Sequence, residues 1–183
     1  MTSLMAFTVV VLLVALERLA EMVAPRRNAA WSFARGGVEH GRGHFPVMVL
    51  LHAALLVGML IEAWWRRPDV PPALAWSMLV VALVCQIGRW WCIASLGRHW
   101  NTRVIVVPGE PPVTRGPYRV LSHPNYVVVV VEGIALPLVH GCWITAVVFA
   151  VLNAALLRVR IRVEEDALRT LPAPRRSATS DPL

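Results

Sequence analysis

The residues with chemistry to offer fall in two blocks toward the C-terminal end of this 183-residue sequence. The first, residues 99–126, reads HWNTRVIVVPGEPPVTRGPYRVLSHPNY. It scatters Pro108, Pro111, Pro112, Pro117, Pro124, Gly109 and Gly116 among His, Tyr and Arg side chains. The second, residues 158–168, reads RVRIRVEEDAL. On a helix Arg160 and Glu164 are four apart and face each other, with Glu165 one step around. An arginine so placed can orient an acidic enol or a carboxylate by charge-assisted hydrogen bonds. A neighbouring glutamate can pair with that cation or accept a proton. Each residue also has a plainer reading. Arg160 and Glu164 could be a solvated ion pair worth under about 1 kcal/mol. His123 could simply precede a Pro-started helix, and Tyr118 and Tyr126 could anchor at a membrane interface. The joint pattern says more than any one of them.

Composition decides what must hold these blocks. Apolar residues make up 57% of the chain and charged residues 16%, too few charges to cover a soluble domain of this size. Eight Trp and the apolar content also exclude a disordered chain. The expected fold is all-α, a polytopic membrane bundle of about five helices with a cytoplasmic loop and C-terminal helix. A membrane core of about 30 Å needs roughly 20 helical residues. Apolar runs at residues 3–23, 46–65 and 73–93 meet that length. Two closely spaced runs follow, 126–139 and 142–159, broken by Pro137 and Gly141. The first of these two is short, so four spans plus an interfacial segment is the alternative. The first run lacks a basic start and a clear cleavage site before Pro25, so a cleaved signal peptide is not expected. Residues 104–107 form an extended apolar run, expected to lie in a structured loop over the membrane face.

All 18 basic residues are Arg, and the net charge is +7. They sit between apolar runs and not in one patch, which fits anionic headgroups and not nucleic acid. Arg26, Arg27, Arg35 and Arg42 follow the first run; Arg98, Arg103, Arg115 and Arg119 the third; and Arg158, Arg160, Arg162, Arg169, Arg175 and Arg176 the fifth. Only Arg66 and Arg67 follow the second. The positive-inside bias therefore expects the N-terminus outside and both polar blocks in the cytoplasm. Cys85, Cys92 and Cys142 lie in apolar stretches without a CxxC pair and are expected to be core thiols, with no metal site. The Pro/Ser/Arg-rich tail, residues 172–183, is expected to be disordered.

The stretch GPYRVLSHPNY at residues 116–126, a short apolar hairpin, and RIRVEEDAL at residues 160–168 together resemble the isoprenylcysteine carboxyl methyltransferase family of integral membrane methyltransferases. That family carries G-x-Y-x-x-x-R-H-P-x-Y and then R-I-x-x-E-E. Gly116, Tyr118, His123, Pro124, Tyr126, Arg160, Ile161, Glu164 and Glu165 fall on matching positions. Ser122 stands where the family has Arg, and Arg119 offers a cation three residues earlier. The N-terminal half, with ERLAEMVAPRRNAAW, RGGVEHGRGHFPVMVLLH and Glu132, is more similar to a small bacterial branch that includes alkylpyrone O-methyltransferases.

The resemblance implies S-adenosylmethionine as methyl donor and a lipophilic acceptor entering from the bilayer. It implies that Val113, Thr114, Gly116 and Tyr118 line the adenosine side. His123, Pro124, Tyr126 and Glu164 would complete the cofactor pocket, with Arg160 and Glu165 near the methyl group and the acceptor. It further implies one methyltransferase domain over residues 1–171, with transmembrane helices in 1–95 and the catalytic region in 96–171. The expected location is the bacterial plasma membrane, with the site facing the cytoplasm.

Other polar residues interrupt the apolar runs, where ionisable groups are costly and often functional. His52 is a candidate for lining an acceptor tunnel, and His52 and Glu132 together are the expected substrate contacts. Glu62 and Arg66 read as a structural pair. Glu17 and Glu21, flanking Arg18, read as packing against the cytoplasmic loops. Alkylpyrone or alkylresorcinol hydroxyls are the favoured acceptors, with isoprenylcysteine-like carboxylates or thiols as the alternative. A membrane NADPH-dependent sterol-type reductase shares a GPYxxxRHPxY-like stretch, but the Arg160–Glu165 ending favours methyl transfer. A non-catalytic lipid-binding protein would not need the two polar blocks to converge.

Overall fold

The computed structural model describes residues 2–169. The tail expectation for residues 172–183 lies outside the described residues. Six helices and one small sheet follow in order: α1 (Thr2–Glu21), α2 (Val23–Phe33), β1 (Val38–His40), α3 (His44–Arg66), α4 (Pro72–Leu96), β2 (Val104–Val106), α5 (Pro124–Leu138) and α6 (Trp143–Arg169). Short 3-10 turns cover Gly97–His99 and Gly116–Arg119.

Among the described residues, four helical stretches are long and apolar enough to cross a membrane: Ser3–Phe33, His44–Arg66, Pro72–His99 and Trp143–Ala167. Leu12, Leu13, Leu16, Leu50, Trp65, Ile87 and Val151 are all exposed on the outside of the bundle. So much outward apolar surface suits hydrocarbon and not water. The protein is an all-α integral membrane bundle. α5 has only 15 residues, about 22 Å of helix at 1.5 Å per residue. The expected boundaries differ most at one place, where the first apolar run continues past Met22 into α2 instead of ending near residue 23. The last helix runs on to Arg169 and carries the second polar block, in line with the expected C-terminal helix.

Close helix packing runs α4–α5–α6–α3–α1. The ring is closed from α1 back to α4 and α5 by long polar side chains. Arg18 bonds Gln86 at 3.0 Å and also Glu132, Arg89 bonds Glu21 at 2.7 Å, and Trp90 donates to Glu17 at 3.1 Å. This departs from the sequence expectation: Glu17 and Glu21 meet α4, not the loops.

The tight core fills one half of the bundle, where Phe7, Val11, Leu55, Met59, Ala135, Cys142 and Phe149 pack together. That half also contains the α5–α6 turn. Glu62, 5% exposed, accepts the backbone N–H groups of Ile144 at 3.2 Å and Thr145 at 2.8 Å, and the Thr145 hydroxyl at 2.7 Å. It thereby caps the first turn of α6, whose N–H groups would otherwise be orphaned in an apolar setting. Arg66 pairs with Glu62 at 2.6 Å and bonds the Gly141 carbonyl at 3.3 Å, as the structural reading of this pair expected. Cys85, Cys92 and Cys142 are buried free thiols.

The opposite end carries the loops. β2, inside the expected extended run, pairs antiparallel with β1 in the register Val38–Val106, Glu39–Ile105 and His40–Val104. Nothing in the sequence reading anticipated β1. Asn28 of α2 donates to the Trp100 carbonyl at 2.7 Å and the Gly97 carbonyl at 3.2 Å, tying α2 to the end of α4.

Candidate active site

α5 and α6 are antiparallel neighbours, so the start of one lies beside the end of the other. Pro124 opens α5, and its missing N–H costs nothing in a first turn. That placement presents Tyr126 from the first turn of α5 to Arg160 and Glu164 of α6. The Arg160 Nε–H donates to the Tyr126 hydroxyl at 2.8 Å, and that hydroxyl donates to Glu164 Oε2 at 2.7 Å. Arg160 and Glu164 therefore meet through Tyr126, and not face to face as helix spacing alone expects. The His123 ring stacks on the Tyr126 ring, with centroids 5.1 Å apart and planes 9° apart, and its Nδ1 lies 3.9 Å from Glu164 Oε2. Arg160 is only 8% exposed, so its guanidinium depends on partners within the protein. Its Nη1 reaches Met48 Sδ of α3 at 2.8 Å.

The loop before α5 is docked on the end of α4. Gly116 takes φ +58°, and a Cβ there would collide with Ser95, so only glycine lets this loop approach. The Arg115 Nε–H donates to the Ser95 carbonyl at 2.7 Å. Tyr118 is half-buried, and burial, followed by the neighbouring Cys92, Glu164 and Tyr126, pushes its hydroxyl pKa above the ordinary tyrosine value. Pro124 is buried, Val113 is half-buried and Thr114 is exposed. Ser122 and Arg119 are both exposed.

The structure thus brings together Tyr126, His123, Arg160 and Glu164, with Gly116 and Tyr118 on the adjoining loop. It does not bring in Glu165, which is exposed and, among the described residues, has no hydrogen-bond or ion-pair partner. His52 and Glu132 share a different place. They line an open cleft with Arg18, Arg89, Leu136 and Phe149 among its walls. His52 bonds the Met48 carbonyl at 2.8 Å, so Met48 touches both His52 and Arg160.

Sequence reasoning missed Met48, because a methionine in an apolar run carries no signal. It also missed Asn125, whose Oδ1 is buried without a partner beside Tyr126. Gln86 and the pairing of Arg89 with Glu21 were missed as well. The visible signal was the Glu17–Arg18–Glu21 group inside an apolar run, which demands partners.

Residues 78–170 match the family model of isoprenylcysteine carboxyl methyltransferase (ICMT). The match covers most of α4, the docked loop, α5 and α6. A Bacillus subtilis (strain 168) protein described as "Uncharacterized protein YpbQ" is 35% identical over 164 residues, 89% of this chain and 96% of that one. An uncharacterized protein of Haemophilus influenzae is 25% identical over 142 residues, 75% of this chain and 80% of its own. The family match takes in both polar blocks, and the similarity to the Bacillus protein extends over nearly all of both chains. The chain belongs to the isoprenylcysteine carboxyl methyltransferase family of membrane methyltransferases.

Proposed function

We propose that this protein transfers a methyl group from S-adenosylmethionine to the hydroxyl of a lipophilic acceptor of the alkylpyrone or alkylresorcinol type. The observation that carries the reading is the Arg160–Tyr126–Glu164 chain at the junction of α5 and α6. The donor set suits the cofactor's groups. Arg160 can hold a carboxylate, and Glu164 can accept from an ammonium or a ribose hydroxyl. The buried, unpartnered Asn125 Oδ1 beside them offers another acceptor. S-adenosylmethionine, when bound, supplies a methyl group on an electrophilic sulfonium.

The chain's own residues bind, align and exclude water. Val113, Thr114, Gly116 and Tyr118 form the adenosine side in this reading, and His123, Pro124, Tyr126 and Glu164 the rest of the pocket. Arg160 faces the acceptor from inside the cluster and Glu165 from its outer rim. His52 and Glu132 contact the acceptor in the cleft. The apolar outer surface supports entry of that acceptor from the bilayer. The excess of Arg around the loops supports a cytoplasmic site in a bacterial plasma membrane. Residues 1–171 act as one domain, with residues 96–171 its catalytic part.

Purified protein titrated with S-adenosylmethionine or S-adenosylhomocysteine should show thermal stabilisation, and NADPH should give none. Labelled donor with a panel of alkylpyrone, alkylresorcinol, isoprenylcysteine and thiol acceptors should label the hydroxyl acceptors. Stabilisation by NADPH alone would replace this reading with a reductase.

A further inference from the structure

Methylation of a neutral hydroxyl releases a proton, which needs a destination. Glu132, the carboxylate in the cleft wall, is held by Arg18, and Glu164 of the neighbouring cluster accepts from Tyr126. His52 is different. A carbonyl can only accept, so the 2.8 Å contact with Met48 O fixes the ring hydrogen on Nδ1. Nε2 of a neutral ring then carries a lone pair, and among the described residues it has no hydrogen-bond partner. Phe149 meets the ring edge to face, with centroids 5.4 Å apart and planes at 84°, and holds its orientation. The residue that orients His52, Met48, also touches Arg160 through its sulfur. The charged groups around the ring are Arg18 on α1, Arg89 on α4, Glu132 on α5 and Arg160 on α6.

We propose that His52 is the base that takes the acceptor's hydroxyl proton in the cleft lined by Arg18, Arg89, Glu132 and Phe149. This rests on the methyl-transfer reading above. In the step, the acceptor O–H bond breaks and its proton passes to His52 Nε2. The oxygen forms a bond to the methyl carbon as the sulfur–methyl bond breaks, and that bond's electron pair stays on sulfur. The imidazolium then gives its proton to water.

Two acceptors separate the chemistry from mere binding. An alkylresorcinol is a phenol of roughly tyrosine-like acidity, with a pKa of about 10, and needs a base at neutral pH. A 4-hydroxy-6-alkyl-2-pyrone is an acidic enol, already ionised there. His52→Gln should lower kcat for the alkylresorcinol on the order of a hundredfold, and by a roughly tenfold smaller factor for the pyrone. Imidazole added to His52→Ala should restore resorcinol turnover. A readout without the donor is the nitrogen NMR signal of His52 Nε2. Alkylresorcinol added to the protein in detergent should shift that signal as Nε2 accepts the phenol hydrogen bond, with Nδ1 unmoved. Equal losses with both acceptors would make His52 a wall of the cleft and overturn the proposal. So would unchanged resorcinol turnover or an unmoved Nε2 signal. Thermal stabilisation by S-adenosylhomocysteine reports the donor reading separately. If wild-type protein binds that product but methylates neither acceptor, the acceptor class is wrong and the His52 role falls with it.

Discussion

Tyr126 is the pivot of the cluster, because its single hydroxyl accepts from a buried cation and donates to a carboxylate. Tyr126→Phe removes both bonds while keeping the ring stacked on His123. A hydrogen bond to a charged group is worth about 1.5–3 kcal/mol, so S-adenosylhomocysteine affinity should fall by roughly ten- to a hundredfold. Calorimetric titration of the folded variant checks it. The neighbouring charged residues give a graded comparison. Arg160→Ala should cut turnover on the order of a hundredfold, as for lost alignment. Glu165→Ala should cost about tenfold or less, because its carboxylate stands on the exposed rim. Rates of methyl transfer by monodisperse variants decide the order. A larger loss at Glu165 than at Arg160 would invert the arrangement proposed here.

At the scale of elements, α6 depends on a carboxylate from another helix. Glu62→Ala would leave Arg66 without its ion-pair partner and the Ile144 and Thr145 N–H groups without acceptors. Stability should drop by about 2–4 kcal/mol, seen as a lowered melting temperature in detergent. Turnover per folded molecule should stay near normal, since this cap lies at the end of the bundle away from the site. Gly133 is a second such dependence. A Cβ there would collide with the Phe149 ring, so Gly133→Ala should push α5 from α6 and cost about 1–3 kcal/mol. The long helices and the meeting of α5 with α6 were legible, because apolar length and a tight hairpin leave few arrangements. β1 was not, since three residues with polar neighbours carry no strand period. The α1–α4–α5 network was legible only as a demand for partners. Arg18 and Glu132 are 114 positions apart, and no local spacing links them.

For the whole molecule, the path of the chain fixes which ends share a side. Phe7 of α1 stacks on His140 beside the α5–α6 turn, while α6 ends among the loops. The beginning of α1 and the end of α6 therefore lie at opposite ends of the bundle. The Arg bias predicts the former outside the cell and the latter inside. Reporter fusions near Thr2 and Arg169 should give opposite signals, and equal signals would break the assignment. The ring of helices also has a seam, where side chains and not close packing join α1 to α4. An amphiphile arriving from the hydrocarbon meets there a set of exchangeable hydrogen bonds.

The brevity of α5 has a further effect on depth. Glu62 sits at the level of the α5–α6 turn, and Met48, level with Arg160, lies about 21 Å back along α3. A hydrocarbon slab is about 30 Å thick. With the α5–α6 turn set at one boundary of such a slab, the Arg160–Tyr126 junction falls short of the other, at the bottom of a shallow well. In the proposed reaction a greasy acceptor then need not lift its head into water to reach it, whereas the water-soluble donor must come down. Lipid thickness then becomes a kinetic variable. In vesicles of longer acyl chains the well deepens, and the KM for the donor should rise while that for the acceptor stays nearly flat.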